Sequence, residues 1–183
     1  VKRNIRRDLC ARGCEVTVLP AYTKPEDILN GGYDGIMLSN GPGDPQENTE
    51  IIENLKVLTK SGMPIFGICL GHQLLALSIG AQTKKMTFGH RGVNHPVKDL
   101  AHDRTYITSQ NHGYAVLGET VNPDIARVSH ININDNTCEG IEHLHAPIFT
   151  VQYHPEVKPG PEDTAYLFDQ FIALMDEKKG GAQ

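Results

Sequence analysis

The 183-residue chain is long enough to bury a core of its own, and 39% apolar with 21% charged residues excludes wholesale disorder. A net charge of -5 with scattered basic residues argues against a nucleic-acid-binding surface, and no apolar run is long enough to span a bilayer. Val1-Lys2-Arg3-Asn4 leads into a polar, helix-like stretch, so we expect no signal peptide. We therefore expect a cytoplasmic protein without nucleic-acid or membrane partners, whose four cysteines are free thiols.

The first half of the sequence alternates helix signals with strand signals. Ile5 and Leu9 are four residues apart before Gly13, which predicts a helix that ends near this glycine. Val16 and Val18 alternate with other residues over 15–19, which predicts a strand. The other elements predicted here are strands over 35–38 and 64–68, a helix with Ile51, Ile52, Leu55 and Leu58 on one face, and a buried helix over 74–79.

The second half contains more strand signals than helix signals. Candidate strands cover residues 106–108, 126–129, 140–142 and 148–153, and a last helix covers about 162–175. We expect one domain over 1–177 and a flexible tail over 178–183, which has no core-forming residues. Strands that alternate with helices predict an α/β fold of three layers, in which helices flank a largely parallel sheet. Sites of such folds lie at the carboxyl ends of strands, here after Leu38, Ile68 and Tyr153.

The turn after the strand that ends at Ile68 carries a candidate nucleophile. Gly67-Ile68-Cys69-Leu70-Gly71 has the spacing of a nucleophile elbow, with Cys in place of Ser. The two glycines leave room around a sharp, strained turn, and a helix N-terminus at this point favours a thiolate. The alternative interpretation is a small cysteine that fills a strand end beside two packing glycines.

The segment His154-Pro155-Glu156 follows the last predicted strand. Residues two apart in an extended chain face the same way, and Pro155 favours extension at His154. Glu156 can therefore hold one imidazole nitrogen while the other faces a substrate. A lone His-x-Glu more often marks a solvated loop, so the prediction depends on its pairing with the cysteine elbow.

The third strand-end turn is the glycine-rich loop over residues 39–45. Gly41 and Gly43 flank Pro42, and such a loop exposes backbone N–H groups that can hold an oxyanion or a phosphate. The Lys-Ser/Thr pair of a P-loop is absent, which weakens the phosphate interpretation. As an oxyanion hole the loop would act with the N–H of Leu70, and the alternative is a tight turn without function.

Together these three turns resemble the class I glutamine amidotransferases, and the similarity covers nearly the whole chain. The family implies a flavodoxin-like fold. Residues 88–97 (FGHRGVNHPV) and 108–116 (TSQNHGYAV) are also similar to the small subunit of carbamoyl-phosphate synthase. The glutaminases of anthranilate and GMP synthesis share the elbow and the His-Pro-Glu but generally lack these two stretches.

The resemblance implies a role for each motif residue. Cys69 would attack the side-chain amide of glutamine, His154 would transfer protons, Glu156 would orient His154, and Leu70 with the glycine loop would hold the oxyanion. A γ-glutamyl thioester would form and be hydrolysed, and ammonia would pass to a large synthetase subunit that makes carbamoyl phosphate for pyrimidine and arginine synthesis. No cofactor is implied in this domain, because ATP and magnesium would belong to the synthetase. The residues implied to bind the amino and carboxylate groups of glutamine are Gln73, Asn111, Gly113 and Tyr114.

The sequence departs from the family at three points. Tyr114 replaces a usual Phe, and its hydroxyl needs a partner. The family's small subunit has an N-terminal domain that this sequence lacks, and we expect the chain to begin one strand late. Three alternatives stay open: a glutaminase of another class I amidotransferase, a docking module with little activity alone, and a cysteine peptidase or γ-glutamyl hydrolase. His143, His145 and His154 have no acidic partner at ligand spacing, so we expect no metal site.

Overall fold

The computed structural model describes residues 1–157 and 164–181. Within these residues seven strands form a single sheet. The strands are β1 (Ile36–Leu38), β2 (Ile65–Ile68), β3 (Thr83–Asp99), β4 (Arg104–Val116), β5 (Ala126–Asn132), β6 (Cys138–His143) and β7 (Ile148–Val151). The α-helices are α1 (Arg3–Ala11), α2 (Pro25–Leu29), α3 (Thr49–Leu58), α4 (Leu70–Ser78) and α5 (Tyr166–Gly180).

The sheet has two parts with different pairing. Its strand order is β1-β2-β7-β6-β4-β3-β5, and β6 also pairs with β5, so β3, β4, β5 and β6 form a closed ring. Among the described residues, only β1, β2 and β7 pair in parallel, and the other pairings are antiparallel. We call β1, β2 and β7 with their helices the parallel half, and β3 to β6 the closed half.

The prediction of a largely parallel sheet is therefore wrong for the sheet as a whole. Parallel neighbours need long crossover connections, whereas short turns can join antiparallel strands. Residues 100–103 join β3 to β4 and residues 133–137 join β5 to β6, so these connections leave no room for a helix.

Helices cover both faces of the parallel half. Phe66 and Ile68 of β2 pack in one cluster with Leu9 of α1 and Phe168 of α5. Ile65 of β2 points the other way, into a second cluster to which α3 contributes Leu55 and Leu58 and α4 contributes Leu74 and Leu75. Successive residues of a strand face opposite sides, so these fully buried residues anchor β2 between two helical layers.

Residues 15–19, which we predicted as a strand, form no strand. A cavity of about 1230 Å³ is lined by residues of this segment, by β1 and by α1. Among the described residues β1 pairs only with β2, so no neighbouring strand offers residues 15–19 a ladder of hydrogen bonds. Side chains that favour an extended backbone do not make a strand by themselves, because a strand also needs backbone hydrogen bonds with a neighbouring strand.

The last helix ends later than predicted. Its predicted start falls in residues 158–163, which lie outside the described residues, and α5 begins at Tyr166. It continues to Gly180, and the ammonium group of Lys178 donates to the main-chain oxygen of Gly62 at 2.7 Å. The first three residues of the predicted tail are thus helical, and the flexibility of that tail remains a prediction. None of the described helices has the length and apolar character needed to cross a membrane.

Candidate active site

Cys69 lies at the junction of β2 and α4. The strand ends at Ile68 and the helix begins at Leu70, four residues earlier than predicted, so Cys69 is the N-cap of α4. Its backbone has φ 55° and ψ -103°, which is a strained conformation for a residue with a side chain. Its N–H donates to the main-chain oxygen of Val151 in β7 at 2.9 Å, which fixes the turn to the neighbouring strand.

The glycines on either side of Cys69 are required by close packing. A Cβ on Gly67 would lie 2.9 Å from the Thr150 side chain and 3.0 Å from the backbone of Gly71. A Cβ on Gly71 would overlap the main-chain oxygen of Leu38 in β1. The Gly-x-Cys-x-Gly spacing therefore lets β1, β2 and α4 approach one another closely, which brings the thiol to the strand ends.

His154 and Glu156 lie beside Cys69 as a buried pair. The His154 ring donates from Nδ1 to Oε1 of Glu156 at 2.9 Å, and the Cys69 side chain is hydrogen-bonded to the same ring. His154 is 5% exposed and Glu156 is fully buried. The backbone N–H of His154 donates to the main-chain oxygen of Ser109 in β4 at 2.9 Å, so the closed half holds the chain just after β7.

The charges of this group are set by its contacts. Burial lowers the pKa of His154, but the hydrogen bonds with Cys69 and Glu156 outweigh it and raise the pKa to about 9. Burial raises the pKa of Glu156, and the hydrogen bond from His154 together with its charge holds that pKa below the usual value. At neutral pH the pair is thus an imidazolium and a carboxylate.

Lys2 also reaches this pair, which the sequence analysis missed. Its ammonium nitrogen lies 3.0 Å from Oε1 of Glu156 and 3.4 Å from Nδ1 of His154. Asn4 donates from its side-chain amide to the main-chain oxygen of Glu156 at 3.1 Å. Lys2 and Asn4 are more than 150 residues from Glu156 along the chain, so no local spacing could have indicated these contacts.

A cavity of about 680 Å³ opens over Cys69 and His154. The residues that line it come from both halves of the molecule. Glu156 and Leu70 are not among the lining residues. Of the predicted site residues, those that line it are Gly41, Gly43, Cys69, Gln73, Asn111, Gly113, Tyr114 and His154. The structure thus brings together eight of the ten predicted site residues around one cavity.

Leu70 and Glu156 contact residues that line this cavity but do not line it themselves. The Leu70 side chain packs on Gly41, because a Cβ on Gly41 would be only 2.7 Å from Cδ2 of Leu70. As the first residue of α4, Leu70 has a backbone N–H without an acceptor within the helix. The contact of the Leu70 side chain with Gly41 thus places the first turn of α4 against the glycine loop.

Hydrogen bonds of Gln73 and Tyr114 join α4 to β4. The Gln73 side chain donates to the main-chain oxygen of Tyr114 and to Oε1 of Gln152, each at 2.9 Å. The Tyr114 hydroxyl, whose partner was an open question, is hydrogen-bonded to the Asp44 carboxylate in the glycine loop. These contacts join α4, β4 and the loop after β1.

The three histidines weighed as metal ligands do not form such a group. His143 and His145 have ring centroids 6.2 Å apart near the surface. Within the described part of the chain, the one group of three potential ligands that lie within 4.8 Å of one another is His90, His112 and Glu139, inside the closed half.

Comparison with known proteins shows the family of the chain. The family model for glutamine amidotransferase class-I matches residues 1–174. The chain belongs to the class I glutamine amidotransferase family. The carbamoyl phosphate synthase small chain of Bacillus caldolyticus is 55% identical over 183 residues, which are 98% of this chain and 50% of that protein. The corresponding small chain of Symbiobacterium thermophilum is 53% identical over 176 residues, which are 96% of this chain and 48% of that protein.

The chain thus spans about half the length of the curated relatives it matches. A solved structure of a Thermoplasma acidophilum protein, provisionally named as part of a GMP synthase, superimposes with a TM-score of 0.84 over 97% of this chain and 89% of that one. At 21% sequence identity, this likeness concerns the fold alone.

Proposed function

We propose that the domain hydrolyses glutamine to glutamate and ammonia, with Cys69 as nucleophile, His154 as acid and base, and Glu156 as the residue that orients His154. The observation that carries the proposal is the group itself: a strained Cys69 hydrogen-bonded to a buried His154 whose other ring nitrogen is held by Glu156 at 2.9 Å. The cavity above it has the size of a small-molecule site.

The steps of glutamine hydrolysis follow from the contacts among Cys69, His154 and Glu156. The Cys69 thiolate attacks the amide carbon of glutamine, and the oxyanion that forms is held by the N–H of Leu70 and by the loop of Gly41 and Gly43. The C–N bond then breaks as the His154 imidazolium gives its proton to the leaving nitrogen, which departs as ammonia. Water attacks the γ-glutamyl thioester while His154 takes the water proton, and glutamate and the thiolate are released.

The remainder of the cavity can hold the amino and carboxylate end of glutamine. Among the residues that line it are Lys2, Gln73, Asn111, Gly113 and Tyr114. We infer that four of these residues hold the amino and carboxylate groups of glutamine: Gln73, Asn111, Gly113 and Tyr114. The ammonium of Lys2 beside Glu156 favours the ionised carboxylate, which supports the imidazolium state of His154.

The partner we propose is the large subunit of carbamoyl-phosphate synthase, which would use the ammonia to make carbamoyl phosphate and would bind ATP and magnesium. Support comes from relatives named carbamoyl phosphate synthase small chain that are 53–55% identical to nearly the whole chain. We expect this pairing in the cytoplasm. The helix-covered strands β1, β2 and β7 also support a flavodoxin-like arrangement for the parallel half.

The test is a glutaminase assay of wild type, Cys69→Ala and the control Cys10→Ala, each alone and with the large subunit. Cys10 is exposed, so its substitution should leave activity unchanged. We expect Cys69→Ala to lower glutamate release in the complex by at least about 1000-fold, while carbamoyl phosphate synthesis from free ammonia persists. Equal release by Cys69→Ala, or release from γ-glutamyl peptides but not from glutamine, would contradict the proposal.

A further inference from the structure

A buried ion pair that the proposed mechanism does not use lies inside the closed half. Glu139 of β6 is fully buried and His90 of β3 is 7% exposed. One ring nitrogen of His90, Nδ1, lies 3.3 Å from Oε1 of Glu139, and the other, Nε2, lies 2.8 Å from the carboxylate of Asp135. His90 is therefore clamped between an inner carboxylate and an outer one.

The environment favours a charged His90. The nearby carboxylates of Glu139 and Asp135 oppose the effect of burial and raise the pKa of His90 to about 9. Burial raises the pKa of Glu139, and hydrogen bonds from His90, Gln110 and Asn132 oppose that rise. A buried carboxylate is tolerated only when it is paired and hydrogen-bonded, so the position of His90 and Glu139 is tightly fixed.

The pair touches the strand that carries the proposed glutamine-binding residues. Gln110 of β4 is hydrogen-bonded to Glu139 through its side chain, and its Oε1 lies 2.7 Å from Nε2 of His112. The His112 ring stands edge-on to His90 with centroids 4.9 Å apart, and its Nδ1 donates to the main-chain oxygen of Tyr114 at 2.8 Å. Gln110 and His112 are buried.

Asn111 and Gly113 alternate with these two buried residues and line the cavity over Cys69. The backbone ladder pairs residues 110–112 with residues 90–92 of β3, and its register shifts on either side of this short run, between Lys85 and His90 and between Gly92 and His95. Such shifts mark bulges, where a strand bends, and between them Gln110 and His112 add side-chain contacts to the backbone pairing.

We propose that the His90–Glu139 pair is a positioning device for glutamine: through Gln110 and His112 it sets the place of Asn111, Gly113 and Tyr114, and thereby the affinity for substrate. The proposal rests on the proposed function. Neither residue touches the reacting atoms, so their removal weakens binding and leaves the chemical step intact.

The same side chains could instead be considered as a metal site, because His90, His112 and Glu139 offer ligand atoms within 4.8 Å of one another. The geometry favours the ion pair. Nε2 of His90 and both nitrogens of His112 each have an oxygen within 2.8 Å, so a metal bound through these atoms would have to displace existing contacts.

The test compares Glu139→Gln with Glu142→Gln in the complex with the large subunit. Glu142 lies on the same strand, but its carboxylate is exposed and paired with Arg127 at 2.7 Å, so it is a matched control. We expect Glu139→Gln to raise the KM for glutamine about tenfold with kcat changed less than about twofold, and Glu142→Gln to change neither.

A second readout does not depend on activity. In Glu139→Gln the amide hydrogens of residues 110–114 should exchange with solvent at least about tenfold faster than in wild type, and those of β2 should be unchanged. If wild type hydrolyses no glutamine, the proposed function fails, while the exchange measurement still decides whether the pair holds this segment.

Asp135→Asn keeps the test decisive if Glu139→Gln does not fold, because Asp135 is the partly exposed outer partner of the same histidine. For Asp135→Asn we expect the KM for glutamine to rise only about two- to threefold, because an ion pair with an exposed partner contributes little free energy. Unchanged KM and unchanged exchange would overturn the proposal. So would about one zinc ion per chain in purified wild type that is lost in Glu139→Gln, because the cluster would then be a metal centre.

Discussion

The parallel half and the closed half contribute different parts of the candidate site. Cys69 and His154 follow β2 and β7, and the glycine loop follows β1, so the proposed chemistry lies at the carboxyl ends of parallel strands. Asn111, Gly113 and Tyr114 lie within the antiparallel strand β4.

The two halves also fix their residues by different means. Close backbone packing around Gly67 and Gly71 holds the elbow, whereas buried polar side chains beneath β4 hold the binding segment. We therefore expect substitutions of Cys69, His154 or Glu156 to lower kcat for glutamine hydrolysis, and substitutions in β4 to raise the KM for glutamine.

The largest effect is expected for Glu156→Gln in the parallel half. The amide would keep the shape of the side chain but lose the charge that holds the His154 imidazolium, so kcat for glutamine hydrolysis should fall by about 1000-fold or more. Steady-state kinetics with the large subunit measures this. Glu142→Gln is the control, and a changed KM with unchanged kcat would break the proposed division of roles.

A smaller effect, on stability, is expected for Gly71→Ala. The added methyl group would meet the backbone of Leu38, so the free energy of unfolding should fall by about 3 kcal/mol. Gly180→Ala is a matched control at the end of α5, where a Cβ meets no atom within 4 Å; it should range from neutral to about 1 kcal/mol stabilising. Equal stability of the two variants in urea unfolding would show that close packing at the elbow is not required.

The smallest effect is expected for Asn111→Ala in the closed half. Asn111 is exposed to the cavity, so the loss of its amide should raise the KM for glutamine about tenfold and change kcat little. The same kinetic assay applies, with wild type and Glu156→Gln measured alongside. A fall in kcat comparable to that of Glu156→Gln would mean that the closed half takes part in the chemistry.

The parallel half was largely readable from the sequence, because its signals are local. The strands predicted over 35–38 and 64–68 correspond to β1 and β2, and the Gly-x-Cys-x-Gly spacing reflects contacts among neighbouring backbone atoms. The segment over 15–19 failed because pairing with a neighbour, which no local pattern reports, decides whether extended residues form a strand.

The closed half was harder to predict from the sequence, because part of its interior is polar. His90, Gln110 and Glu139 are buried where the alternation rule expects apolar residues, and the register shifts of β3 break the period of two. Sequence analysis therefore predicted no strand at β3 and only three residues of the thirteen in β4. The resemblance to a family, rather than periodicity, indicated Asn111, Gly113 and Tyr114.

The most direct test of the central claim is to trap the covalent intermediate. Wild type in complex with the large subunit would be mixed with glutamine, quenched in acid within a turnover, and its Cys-containing peptides weighed by mass spectrometry. We expect a γ-glutamyl group on the peptide that contains Cys69 and on no peptide with another cysteine. In Cys69→Ala we expect no such group. An adduct on another cysteine, or glutamate release by Cys69→Ala at the wild-type rate, would contradict the proposed role of Cys69.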